Sequence, residues 1–384
     1  MSVRQGFVLA CVCLAAAGGW SRGAAQRPPP SRGSFQDVGP RFSPDGTRIA
    51  FFRRWPDSRT AVMVADARLR SVRQLLPPEE LSPDRRFATT LDQHLTPQAL
   101  AWSPTGDALA VPRQAWHHAG RGERLPVTTL WTVRLSDGAL EPLAILPSDH
   151  DDDLVYYHAP CWAARGHRVS WIGGGIEGQT ALFVRELAAT PPDGTSPRRD
   201  RAEDVGWPAW SPDGSRLAFR LGIQRRLTDD HYEAVRVLAP GRREALTPVM
   251  LRQPPGAGVR RIAGLAWSPD GRRLALTVDE DALRPGGESV WLVEARPGAV
   301  ARRLTRSGDG DVLAPVFLDS ASVGALRRRG PAYEAVAVPV ERGPMRRIAQ
   351  VPAADLDWAP DRRSIVCVDP SATGQAALRR IPIR

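Results

Sequence analysis

The chain has 384 residues, 42% of them hydrophobic and 24% charged, with a formal net charge of +10 at pH 7. That balance sits near the globular average and excludes a chain that is disordered over most of its length. All 52 basic residues are arginine, since neither lysine nor asparagine occurs. The absence of lysine excludes a Walker A loop, a Schiff base and a Ser-Lys dyad. Both missing residues use AT-rich codons, so the bias points to a GC-rich, bacterial genome rather than to selection for guanidinium chemistry.

Residues 1–25 read as an export signal. Arg4 supplies a basic start, Phe7 to Ala17 an apolar run too short for a membrane span, and Gly23-Ala24-Ala25 a small-residue cleavage site. An ordinary N-terminal strand or helix is the alternative. A lipoprotein box at Val8-Leu9-Ala10-Cys11 would leave almost no apolar run before the cysteine. No other segment is apolar enough to cross a bilayer, so a soluble mature protein is expected. Loss of Arg4 and Arg22 with the signal leaves +8. The remaining arginines are scattered in pairs such as Arg53-Arg54, Arg225-Arg226 and Arg346-Arg347, with Arg327-Arg328-Arg329 the longest run. A solvated basic surface is expected, and nucleic acid is not an expected partner. Cys161 and Cys367 remain in the mature chain and read as buried free thiols rather than a disulfide scaffold.

A Pro/Arg-rich linker over residues 26–34 leads into a repeat that runs from 35 to 384. Its signature is aromatic-Ser-Pro-Asp-Gly. The motif is complete at Phe42 to Gly46, Trp210 to Gly214 and Trp267 to Gly271, and near-complete at Trp102 to Gly106 and Trp358 to Arg362. Trp162 and Phe317 keep only the position and the aromatic, so the mean spacing is about 53 residues. Ser opens a type I turn, Pro presets φ, and Gly accepts positive φ. The strand after the turn, Arg48-Ile49-Ala50-Phe51 in the first copy, is expected to alternate as a half-buried strand. A second hairpin follows, as in Leu130 to Leu135, Ser136-Asp137-Gly138, Leu140 to Ile145. Four strands per copy without helical periodicity predict an all-β propeller of four-stranded antiparallel blades, seven by this count, with six as the alternative. The recurrent aromatics are expected to fill wedges between sheets. The segment Phe35 to Val38 is expected to complete the last blade.

Chemistry-bearing residues are sparse. No Gly-x-Ser-x-Gly elbow occurs. Gly173-Gly174-Gly175-Ile176-Glu177-Gly178 matches a dinucleotide fingerprint, but a strand, Thr180 to Leu187, follows where a helix is needed, so an inter-strand loop is expected. Three polar clusters remain: Trp116-His117-His118; Asp149 to Asp153 around His150 and Asp151, with Tyr156, Tyr157 and His158; and Asp229-Asp230-His231-Tyr232. The Asp149 to Asp153 cluster lacks the regular ligand alternation and turn glycine of a dedicated Ca²⁺ loop, so a solvated acidic loop is expected there, and the other two read as similar loop clusters. No catalytic, cofactor-binding or metal-binding residue is assigned from them, and no cofactor is expected.

The repeats resemble those of the TolB (WD40-like) propeller family over roughly residues 35 to 384, on the strength of Phe42 to Gly46, Trp210 to Gly214 and Trp267 to Gly271. TolB's separate α/β domain is not expected here, because residues 27–34 lead straight into the first repeat. Similar propellers precede the hydrolase domain of prolyl-oligopeptidase-type peptidases, and no such domain is expected either. The resemblance implies a rigid periplasmic or secreted module, monomeric, that binds a protein or envelope polymer without catalysis. The alternative is a propeller enzyme, a metal-dependent lyase or lactonase-type hydrolase, in which His117, His118, His150, His158, His231 and nearby carboxylates converge at the channel mouth. A third possibility is a brace that grips anionic polymer through its arginines.

Overall fold

A computed structural model of the chain describes residues 34–82, 99–118, 124–144, 154–165, 167–175, 180–187, 198–202, 204–224, 231–239, 246–252, 260–281, 286–370 and 375–383. Among them the strands follow the aromatic positions in order. The first group is β1 (Phe35–Phe42), β2 (Arg48–Arg54), β3 (Thr60–Asp66) and β4 (Val72–Leu76), followed by the short helix α1 (Pro78–Leu81). The second is β5 (Ala101–Trp102), β6 (Ala108–His118), β7 (Arg124–Arg134) and β8 (Leu140–Ala144); the third is β9 (Leu154–Trp162), β10 (Arg168–Gly175), β11 (Thr180–Glu186) and β12 (Arg198–Ala202). Next come β13 (Asp204–Trp210), β14 (Leu217–Gln224), β15 (His231–Leu238) and β16 (Leu246–Arg252), then β17 (Arg261–Trp267), β18 (Arg273–Asp279), β19 (Glu288–Glu294) and β20 (Arg302–Arg303). The sixth group is β21 (Val312–Phe317), β22 (Ser322–Arg329), β23 (Ala332–Pro339) and β24 (Arg346–Val351), and the chain ends with β25 (Leu356–Trp358), β26 (Ser364–Asp369) and β27 (Gln375–Pro382). Within every group the strands pair antiparallel in chain order. No described helix is long and apolar enough to cross a membrane.

The turn chemistry explains the repeat. Ser43 Oγ donates to Asp45 at 2.6 Å and accepts from Arg48 N at 2.9 Å, while Gly46 N closes the turn on Ser43 O with φ +70°. Ser211, Asp213 and Arg216 repeat this, as do Ser268, Asp270 and Arg273. Where Thr105 replaces the aspartate, Asp107 takes over and receives Ser103 Oγ at 2.7 Å.

The second strands do not alternate. Ile49 to Phe52, Leu217 to Arg220 and Leu274 to Val278 are buried without interruption. Each sheet is sandwiched between two others, so both faces of its middle strands are covered, as in sheets buried on both sides. The hydrophobic clusters accordingly bridge consecutive groups: Phe52, Val62 and Val64 pack with Trp102, Leu109 and Val111, and Phe42, Phe51 and Met63 with Ala359 and Val366. Full burial of a Phe contributes roughly 2–3 kcal/mol.

The recurrent aromatics also carry hydrogen bonds across these seams. Trp102, Trp210 and Trp267 Nε1 donate to the carbonyls of Arg41, Cys161 and Ala209, each the residue just before the preceding group's aromatic. Motif prolines abut the next group's turn glycine, Pro44 against Gly106 and Pro212 against Gly271, and Pro360 meets Gly46 in the same way. The last group therefore lies against the first as consecutive groups lie against each other. At that seam Phe35 and Gln36 pair parallel with Gln375 and Ala376, while β1 from Gln36 onward pairs with β2. The expected completion of the last sheet by Phe35 to Val38 is thus limited to two residue pairs.

Candidate functional site

Antiparallel order sorts the connections to two ends. The Ser-Pro-Asp-Gly turns lie at one end; the hairpins between second and third strands, and the crossings to the next first strand, lie at the other. His117, His118, His158 and His231 belong to strands that run to this second end. His117 and His118 close β6, opposite Leu125 and Arg124, and His231 opens β15, opposite Gln224. The side chains of His117, His118 and His231 lie outside the described residues, as do His150 with the rest of residues 145–153, and Asp229 and Asp230. His158 is half-buried, its ring 5.4 Å from that of Tyr156. Tyr157 leaves the polar cluster altogether: it is buried edge-on to Phe183 and Trp171, which stack at 5.7 Å.

The glycine run has a packing reason. Gly173 to Gly175 belong to β10 rather than to a loop. A Cβ on Gly173 would come within 2.7 Å of Phe183 and 2.8 Å of Tyr157, and one on Gly174 would collide with the Tyr156 ring. Glycine is required because tyrosines on the neighbouring strand lie across the backbone, as at close approaches generally.

Charged pairs line the same end. Arg220 and Glu233, each 5% exposed, meet at 2.7 Å; Asp204 contacts the same guanidinium, and Ile262 N donates to Glu233 at 3.0 Å. Despite burial, the two carboxylates hold the Arg220 pKa above its ordinary value. Asp37, 1% exposed, takes Arg53 at 2.7 Å, and the guanidinium stacks on Phe35 at 3.8 Å. At the last-to-first seam Asp355 and Asp357 accept from Gly39 N at 2.9 Å and Phe42 N at 2.8 Å, and burial raises both carboxyl pKa values. Burial likewise raises Asp279 and Glu288, reinforced at Glu288 by Asp311. The thiols of Cys161 and Cys367 are free and are pushed up by burial to about 11 and about 12, which makes them poor nucleophiles at neutral pH. Among the described residues no group of three or more His, Cys, Asp or Glu has the geometry of a metal site.

At the opposite end a cavity of about 680 Å³ opens between the first two groups, lined by Arg48, Asp66, Arg73, Asp107, Arg134 and Glu141. Its charges already satisfy one another or the backbone: Arg73 donates to Leu135 O at 2.7 Å and Arg134 to Glu141 at 3.0 Å.

Two recurrent signals escaped the sequence reading. Proline stands two residues before the aromatic at Pro40, Pro160, Pro208 and Pro315, each after a residue with positive φ: Gly39, Ala159, Trp207 and Ala314. These are bulges in the first strands, where proline needs no ladder partner. Arginine stands six residues after the aromatic at Arg48, Arg216 and Arg273, and each donates to a turn carbonyl of the next group, at Gly106, Gly271 and Ser320.

No protein-family model and no curated protein sequence matches the chain. Solved structures do. The β-propeller domain of the Trilobed protease from Pyrococcus furiosus aligns at 11% identity and TM-score 0.57, over 90% of this chain and 95% of that one. The chain has a β-propeller fold. A puromycin-hydrolyzing peptidase of Mycobacterium tuberculosis aligns at 15% identity and TM-score 0.63 over 91% of this propeller, which spans only 51% of the peptidase. TolB from Acinetobacter baumannii aligns at 15% identity over 89% of this chain and 75% of that one, with a TM-score of 0.43. At these identities the likeness concerns the fold.

Proposed function

We propose that the chain is an exported, non-catalytic binding module: one closed ring of seven blades, released from the signal of residues 1–25, that docks a protein or envelope polymer on the end opposite the Ser-Pro-Asp-Gly turns. The observation that carries this reading is the β6–β7 hairpin. Its last pair, His118 with Arg124, stands four residues further from Trp102 than Arg54 stands from Phe42 in the first blade. At about 3.4 Å per residue the arm rises roughly 14 Å beyond its counterpart. A rigid frame with a projecting arm whose last described pair is His118 with Arg124 suits recognition, since function concentrates on loops held by a scaffold.

The test is affinity capture from an envelope fraction, with the full chain and with a chain whose arm is cut back to a two-residue turn at Gln114 and Thr128. A predominant component held by the first and lost by the second is expected; equal capture by both overturns the assignment of the arm. Four of the five histidines invoked by the enzyme alternative sit at this same end, so calorimetry with Ca²⁺, Mn²⁺ and Zn²⁺ separates the readings. Stoichiometric heat from one of these ions, abolished by His117→Ala and His118→Ala, would favour the enzyme.

A further inference from the structure

The net charge of the fold is confined to its last quarter. Residues 35–295 hold 33 arginines and 33 acidic residues, whereas residues 296–384 hold 15 arginines and 9 acidic residues, a net +6. Much of that surplus lies on the outer wall. β20 and β24 are the outermost strands of consecutive blades, and β27 is the last strand of the next. Each carries an exposed arginine pair: Arg302-Arg303, Arg346-Arg347 and Arg379-Arg380. On the other outermost strands, β4 and β16 carry one arginine each and β8 none, while β12 interleaves three with Asp200.

We propose that the outer wall formed by β20, β24 and β27 binds a flexible, linear anionic polysaccharide, one bearing carboxylate or sulfate groups. Existing partners tether these arginines without covering them. Arg303 lies 3.7 Å from Glu280, Arg347 3.6 Å from Glu334 and Arg379 3.1 Å from Asp369, each an ion pair to a half-buried carboxylate. Arg302 donates to Val340 O at 2.6 Å and Arg380 to Ser364 Oγ at 3.0 Å and Ala67 O at 2.9 Å; all six residues stay exposed to solvent. Guanidinium groups present forked donors that match carboxylate and sulfate oxygens. Shape selects the partner. The outer edges of successive blades face successively rotated directions, so a planar bilayer touches one edge at a time and a stiff duplex cannot follow the curve. The exposed large hydrophobic side chains among the described residues are Val72, Met250 and Val300, with no aromatic to stack a single-stranded base. A flexible chain without bases can run along all three pairs. This wall is distinct from the arm, so failure here leaves the reading above standing.

The experiment measures binding of the full chain to heparin and to polygalacturonate, with neutral dextran, single-stranded DNA and anionic phospholipid vesicles as comparators, at low and high salt. Saturable binding that falls steeply with salt is expected. The variant Arg302→Gln, Arg303→Gln, Arg346→Gln, Arg347→Gln should weaken it about tenfold or more, and lysine at the same four positions should restore it only in part, returning the charge without the fork. A control with Arg68→Gln, Arg70→Gln, Arg134→Gln and Arg272→Gln, four exposed arginines elsewhere, should change it less than about twofold. Equal losses in wall and control variants, tighter binding to DNA or vesicles, or no preference over dextran would each overturn the proposal.

Discussion

At the residue scale the sharpest contrast lies among the tryptophans. Trp210 Nε1 bonds Cys161 O at 3.1 Å, but Trp358 Nε1 is buried without a partner. Trp210→Phe should therefore cost about 1–2 kcal/mol more than Trp358→Phe, because only the first leaves an acceptor without its donor. Chemical denaturation of both variants checks this. Arg220→Met strands Glu233 in a dry seam and should cost about 3–5 kcal/mol. The carboxylates at the closing seam predict a pH effect. Burial raises the pKa values of Asp355 and Asp357, so the fold favours their protonated forms, and their contribution to stability falls as pH rises from the ordinary carboxylate pKa through the raised one. Asp357→Asn should flatten the melting profile above the ordinary carboxylate pKa of about 4, while Asp357→Ala should also lower it throughout by removing the acceptor for Phe42 N.

At the element scale the blades explain why the hairpin motif is so regular and its strands so apolar. A turn that satisfies its own serine, aspartate and glycine needs no help from its neighbours, so it recurs wherever the chain must reverse. The strand that follows must match two neighbouring sheets, which is why Ile49 to Phe52 is apolar throughout and Leu274 to Val278 is buried throughout and apolar but for Thr277. Arg216 binds this level to the next: it donates to Gly271 O and its guanidinium sits 5.0 Å from the Trp267 ring. Arg216→Ala should destabilise the fourth and fifth blades together. Hydrogen exchange should show protection falling in β14 and β18 in parallel; a loss confined to β14 would contradict the link.

At the scale of the whole molecule, the seam between the last strands and the first is the one whose contribution to stability can be tested by truncation. The first residues of β1 supply the parallel pairs to β27, the Asp37 carboxylate and the Gly39 amide that meets Asp355. Deletion through Gly39 should lower the melting temperature by several degrees and make unfolding less cooperative, as measured by calorimetry. An unchanged transition would show that the closing seam contributes no net stability and that the other seams suffice.

The repeat, its turns and its aromatics were legible in the sequence because their physics is local: Ser43, Pro44, Asp45 and Gly46 make a turn within four residues, and the spacing of about 53 residues repeats it. Free cysteines in separate strands were legible for the same reason of position. Other features belong to pairs of distant residues. Gly173 and Gly174 read as an inter-strand loop until Tyr156 and Tyr157 were laid across them in a strand, and Tyr157 read as part of a polar cluster until Trp171 and Phe183 enclosed it. Scattered arginine pairs became one wall only when β20, β24 and β27 were placed on consecutive blades. The sequence alone determined which local turns and strands form; the tertiary structure decided what each side chain faces, because that depends on which blade stands next to it.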